Sequence, residues 1–139
     1  MSQPPEEKVL AAGENPFKGR KGFARLVQAF KSSLGGFEAA FRHESAFRQE
    51  VAIAIVLLPI AALVDVTPAE RSLLAGSVLA LLIVELLNSA IENAIDRIGF
   101  ERHELSKRSK EMGSGAVLLA IVLLVFTWGV ILLPRFLAP

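Results

Sequence analysis

The sequence predicts an all-α membrane protein, with an N-terminal amphipathic surface helix followed by three transmembrane helices. Three observations lead there. Of the 139 residues, 53% are apolar, more than a soluble domain of this size usually carries. The apolar residues gather into three runs, 51–64, 73–84 and 115–133. Ahead of them lies a basic stretch whose apolar residues recur every three or four positions.

The chain opens with a polar segment rich in Pro and Glu, residues 1–15, read as a mobile leader. Charged and polar residues follow Met1 with no apolar core, so no signal peptide is expected. The remainder, 16–139, reads as one membrane domain. From about 16 to 43, Phe23, Leu26, Val27, Phe30, Leu34, Phe37 and Phe41 form one helical stripe, with Lys18, Arg20, Lys21, Arg25, Lys31 and Arg42 around it. A basic helix with a Phe-rich face suits a membrane interface, where anionic headgroups meet acyl chains. Gly35-Gly36 is expected to loosen or bend it, because glycine is a poor helix-interior residue.

A helix needs about 20 residues to cross the hydrocarbon core. The third apolar run meets that alone, and the first two meet it with their amphipathic ends, giving spans of about 46–65, 71–97 and 112–134. Pro59 is a kink that membrane helices tolerate. Asp65 to Arg71 reads as a tight hairpin link, with Thr67-Pro68 as a helix start. Ala, Gly and Ser in the second and third spans would let helices approach closely, and three spans enclose little, so self-association is expected.

Orientation follows from the cations. Eight Lys or Arg precede Val51, five lie between Arg97 and Lys110, and only Arg71 and Arg135 remain. The positive-inside rule puts the N-terminus and the loop at 97–110 in the cytoplasm and the C-terminus outside. A formal net charge of +1 argues against nucleic acid as a partner. With no cysteine, disulfides and thiolate metal sites are excluded.

The informative polar residues collect at one cytoplasmic surface. Glu85, Asn88, Glu92 and Asp96 are spaced at three, seven and eleven residues from the first. At about 100° per residue they return to one helix face. Intramembrane carboxylates are costly and mark function by default. Glu85 is the deepest, where poor solvation favours its neutral form, as a proton acceptor near neutral pH requires. Glu92 and Glu44 lie nearer water and could share a hard divalent ion, for magnesium takes one or two carboxylates plus phosphate oxygens. Lys107, Arg108 and Lys110 could then neutralise polyphosphate charge. Taken singly, each polar residue has a plainer use as an inter-helix hydrogen bond or a solvated charge. Asp96 reads as a helix-end charge paired with loop cations.

Several of these segments carry a specific resemblance. Glu44-Ser45-Ala46-Phe47-Arg48-Gln49-Glu50, Val84-Glu85-Leu86-Leu87-Asn88-Ser89-Ala90-Ile91-Glu92, Asp96-Arg97-Ile98-Gly99, and His103-Glu104-Leu105-Ser106 with Lys110-Glu111-Met112-Gly113-Ser114 resemble the bacterial integral-membrane diacylglycerol kinases. The likeness runs from about Gly22 to Leu133. It implies three spans plus a surface helix, a homotrimer in the bacterial inner membrane, and transfer of the γ-phosphate of MgATP to the hydroxyl of diacylglycerol, giving phosphatidic acid.

Carried over by residue, the resemblance makes Glu85 the general base with Asn88 in support. Glu44 and Glu92 hold Mg2+. Arg25, Ser32, Glu101, Arg102, His103, Lys110 and Glu111 face the nucleotide, with Lys110 at the transferring phosphoryl group. The lipid follows Arg25, Ala29, Phe30, Lys31, Ser32, Ser33 and Leu34, then Ala46, Phe47, Arg48, Gln49 and Glu50, with Ser114 near its headgroup and Trp128 on the lipid-facing span. The chain departs from the family in three places. Glu111 stands where Asp is usual, Ser32 where some members have an aromatic residue, and the leader is longer.

Two rivals remain at this stage. An undecaprenol kinase would use the same chemistry, although His103-Glu104-Leu105-Ser106 and Met112-Gly113-Ser114 look more like the diacylglycerol branch. A small ion or proton carrier would use Glu85 as a relay, but it should carry charges on both sides of the midplane, and here the internal carboxylates share one side.

Overall fold

The computed structural model describes residues 22–98 and 103–137, all of them in or between four α-helices. The first is α1 (Phe23–His43), followed by α2 (Ser45–Leu63), α3 (Pro68–Ile98) and α4 (Glu104–Leu137). The leader at 1–15, the predicted helix start at 16–21, and Glu101 and Arg102 fall outside the described residues. The chain divides into two compact units, one ending at Gly36 and the other running from Phe37.

In the first unit, α1 opens at Gly22, whose φ of 72° is a left-handed conformation that glycine adopts without steric penalty. The Gly22 carbonyl accepts the first helical bonds, from the N–H groups of Arg25 and Leu26. Phe23, Leu26, Phe30 and Leu34 are all more than half exposed, so the apolar stripe is an uncovered surface. Helical structure passes through Gly35-Gly36 without a break. The boundary between the two compact units falls directly after this pair.

In the second unit, α2, α3 and α4 are each long and apolar enough to cross a membrane. Helix α3 is central and packs against both α2 and α4. Its buried residues, Leu74, Ser77, Val78, Leu81, Glu85 and Ser89, form one stripe at helical spacing. The facing stripes are Phe47, Glu50, Ala54 and Ala61 on α2, and Gly113, Ala120 and Ile131 on α4. Small side chains recur on all three, which permits close approach where apolar burial gives no driving force against lipid. Pro59 sits inside α2 and does not interrupt it.

The α2–α3 link holds the predicted helix start. The Glu70 carboxylate accepts hydrogen bonds from the Thr67 N–H at 2.8 Å and the Thr67 hydroxyl at 2.7 Å, and the Thr67 Oγ1 accepts from the Glu70 N–H at 3.3 Å. This is a capping box, with Pro68 at the first helical position. Arg71 donates to the Ala62 and Val64 carbonyls left open at the end of α2.

One expectation about the elements is corrected. Glu104 to Lys110, expected as loop, are helical, for α4 begins at Glu104. The residues Glu104-Leu105-Ser106-Lys107-Arg108 are mostly good helix formers. The Leu105 N–H donates to the His103 Nδ1 at 3.2 Å, which caps the first turn, and Lys107 pairs with Glu111 one turn on. The charges of Glu104 to Glu111 therefore ride on a helical extension of the apolar run of α4.

Candidate functional site

The site is built where α1 gives way to α2. A single non-helical residue, Glu44, separates them. Its N–H closes α1 on the Ala40 carbonyl at 2.9 Å, and its own carbonyl accepts from the Arg48 N–H at 3.3 Å. Glu44 takes the N-cap position of α2 with an extended backbone, and its side chain makes no capping bond. That carboxylate reaches α3 instead, where Oε1 accepts from the Asn93 Nδ2 at 3.0 Å. Arg48 covers the end of α1, donating to the Phe41 and Arg42 carbonyls at 3.1 and 3.3 Å.

Along α3 the carboxylates descend by whole turns. Glu85 is 4% exposed and belongs to the packing stripe. Two turns on, Glu92 Oε1 accepts from the Asn88 Nδ2 at 3.3 Å. Glu44 and Glu92 both act electrostatically on Glu85, and Glu85 acts on Glu50. Glu50 is 9% exposed, and its Oε2 is buried with no hydrogen-bond partner among the described residues. Glu50 on α2, Glu92 on α3 and Glu44 at the break before α2 thus gather acidic charge around Glu85. Such a group is unfavourable alone and becomes favourable when cations enter.

The residues present fit a magnesium ion supplied with phosphate. Glu44 and Glu92 each accept one side-chain hydrogen bond, at a single oxygen, among the described residues. No three His, Asp or Glu side chains among the described residues form a ready-made metal cage. Two free-edged carboxylates without a cage suit an ion that keeps most of its ligands from water and phosphate.

Other predicted residues stand elsewhere. Lys110 is held by Asp96 at 2.5 Å, joining the C-terminal part of α3 to the N-terminal part of α4, so the cation expected at the phosphoryl group is here engaged by a carboxylate. The predicted pairing of Asp96 with a nearby cation is thereby observed. Glu111, His103 and Ser114 are exposed on α4 and its approach. Phe47 is buried, while Ala46 and Gln49 are exposed. Arg25, Ala29, Phe30, Lys31, Ser32, Ser33 and Leu34 are exposed residues of α1 in the first unit. Trp128 is not at the acidic group. Its Nε1 donates to the Leu74 carbonyl at 3.3 Å, and it packs on the core of Ala61, Val66, Leu74 and Ile131. Leu74 lies eleven residues from Glu85, about 16 Å along the helix.

Two residues of this arrangement were not singled out from the sequence. Asn93 lies one position off the carboxylate column, about 80° round the helix from Glu85, and so faces α2. Gly113 meets Asn88 so closely that an added Cβ would collide with the Asn88 Oδ1, which is itself buried without a hydrogen-bond partner among the described residues. An amide beside a carboxylate and a glycine in a helix interior are the signals that would have found them.

Three helices long and apolar enough to cross a membrane, with Glu50 and Glu85 buried among them, define a small multi-span membrane protein. The sequence profile of the prokaryotic diacylglycerol kinases matches residues 31–132. The chain is 52% identical over 119 residues to a diacylglycerol kinase of Pseudomonas aeruginosa, covering 86% of this chain and 97% of that one. A diacylglycerol kinase of Escherichia coli is 49% identical over 115 residues, 83% and 94% of the two chains, and one of Haemophilus influenzae is 44% identical over 111 residues, 80% and 94%. The chain belongs to the prokaryotic diacylglycerol kinase family, and it is accordingly a kinase of bacterial membranes.

Proposed function

We propose that the protein is an ATP-dependent diacylglycerol kinase, transferring the γ-phosphate of ATP to the free hydroxyl of 1,2-diacylglycerol to give phosphatidic acid and ADP. The observation that carries this reading is the buried Glu85 of α3, with Glu44, Glu50 and Glu92 in electrostatic contact with it, in a chain of this family.

A lipid alcohol is a poor nucleophile until it loses its proton, and its reacting oxygen sits at the edge of the hydrocarbon layer. Glu85 is the base that takes that proton as the hydroxyl oxygen bonds to the γ-phosphorus. The bond from that phosphorus to the bridging oxygen breaks, and ADP leaves. Asn88 supports the geometry from one turn away. Glu44 and Glu92 would hold Mg2+, which supplies charge neutralisation on the phosphate oxygens. Phosphoryl transfer asks mainly for such positioning and neutralisation, so few groups need to act covalently. Arg25, Ser32, His103, Lys110 and Glu111 serve the nucleotide, and the segments at 29–34 and 46–50, with Ser114, serve the lipid.

In this reading α1 lies on the cytoplasmic membrane surface, its exposed Phe face in the lipid and its cations among anionic headgroups. The N-terminus is cytoplasmic, the C-terminus external, and three copies assemble. Phosphate transfer from labelled ATP in mixed micelles, offered diacylglycerol and undecaprenol separately, is the deciding experiment. Transfer to diacylglycerol is expected, and a preference for undecaprenol overturns the substrate.

A further inference from the structure

Glu44 occupies an unusual place for a side chain with a chemical task. It is the one residue between two helices, its backbone is extended, and its carboxylate declines the N-terminus of the helix it begins. A side chain at such a break has more freedom than one inside a helix, and a freely rotating carboxylate is a poor metal ligand. What fixes it comes from α3. Asn93 Nδ2 donates one hydrogen to the Glu44 Oε1 at 3.0 Å and the other to the Ser89 carbonyl at 2.8 Å. Both hydrogens of the amide nitrogen are used, so the bond to its own helix sets the direction of the bond to Glu44.

The parallel with Glu92 is close. Glu92 accepts from Asn88 at one oxygen, and Glu44 accepts from Asn93 at one oxygen. Each carboxylate is held at one oxygen by an amide that adds no charge. We infer that Asn93 is a positioning residue that holds Glu44 for a divalent cation, acting across the α2–α3 contact. The inference rests on the reading of Glu44 as a cation ligand. The Asn93 side chain touches neither nucleotide nor lipid in this account and acts through Glu44.

The test uses the full-length protein in mixed micelles at saturating lipid and ATP, with Mg2+ titrated. Four forms are compared: wild type, Asn93→Ala, Glu44→Gln, and the double variant. Asn93→Ala is expected to raise the Mg2+ concentration for half-maximal activity about three- to tenfold, the scale of one solvent-exposed hydrogen bond. Turnover at saturating Mg2+ and the KM for diacylglycerol stay near wild type. Adding Asn93→Ala to Glu44→Gln gives no further shift, because the residue has nothing left to position. Mn2+ binding in the presence of ATP, read by electron paramagnetic resonance without turnover, weakens in the same order.

An unshifted Mg2+ titration in Asn93→Ala, alongside a shifted one in Glu44→Gln, overturns the role of Asn93 and leaves Glu44 standing. An unshifted titration in Glu44→Gln overturns the Glu44 reading itself. If Asn93→Ala does not fold, Asn93→Leu decides: it stays close to the native volume and removes the donor without adding charge. It is expected to shift the Mg2+ and Mn2+ titrations in the same direction, and unchanged titrations overturn the inference.

Discussion

Gly113 of α4 lies directly against the Asn88 side chain of α3, with no room for a methyl group between the glycine Cα and the Asn88 Oδ1. Asn88 turns that oxygen into the helix contact and its nitrogen toward Glu92. Gly113→Ala should therefore act on the site although it adds only one carbon. By helix propensity alone alanine would favour α4 by about 1 kcal/mol. The expected outcome is the reverse, a loss of turnover of about tenfold or more as Asn88 is pushed off Glu92. The check is a double variant: Gly113→Ala/Asn88→Ala should be no slower than Asn88→Ala alone, since the two act through one contact. Independent, additive losses would show that the glycine serves packing only.

The site was legible in the sequence wherever a residue's type is costly in its setting. Glu85 and Glu92 interrupt an apolar helix, and their spacing placed them on one face before any coordinates. Thr67-Pro68 announced the start of α3 because a hydroxyl before a proline at the first helical position has a local mechanism. What escaped was contact between elements far apart in the chain. Asn93 meets Glu44 across 49 residues of sequence, and no periodicity records that pairing. Glu104 to Lys110 are helix rather than loop for a different reason: most of these polar residues have good helix propensity and extend α4 ahead of its apolar run. Trp128, placed on the lipid-facing span by the family resemblance alone, gives its indole N–H to the Leu74 carbonyl, a pairing across 54 residues that no local pattern announces.

Glu85→Gln preserves the shape of a side chain that is 4% exposed while removing its ability to take a proton. Folding and assembly should be unharmed, because a neutral amide in a crowd of carboxylates removes repulsion. Turnover should fall by about two to four orders of magnitude, the usual contribution of a general base. Gel filtration beside the micelle kinase assay separates the two effects. Normal turnover in a well-assembled variant would remove Glu85 from the chemistry.

Glu92→Gln tests the other end of the column. The amide can still accept from Asn88, so the local helix contact survives, but the charge that would attract Mg2+ is gone. The half-activating Mg2+ concentration should rise at least about tenfold, and use of MgATP should weaken with it. A titration at fixed ATP measures both. An unchanged Mg2+ curve would leave Glu92 as a structural carboxylate only.

The opposite end of the bundle should respond in the opposite way. Arg135 donates to both oxygens of Glu70, at 3.1 and 2.9 Å, tying the end of α4 to the capping box of α3. Fifteen residues of α3 separate Glu70 from Glu85, about 22 Å of helix. Thr67→Ala removes the hydroxyl that caps α3 and should cost about 1 kcal/mol of stability. Arg135→Ala should cost a similar or smaller amount, since the pair is partly exposed and water competes for it. Both variants should lower the midpoint of thermal or denaturant unfolding in micelles while leaving kcat and the Mg2+ titration unchanged. A change in the Mg2+ titration in either variant would mean that this clamp communicates with the carboxylates, and that the two ends of α3 do not act as separate structural and chemical halves.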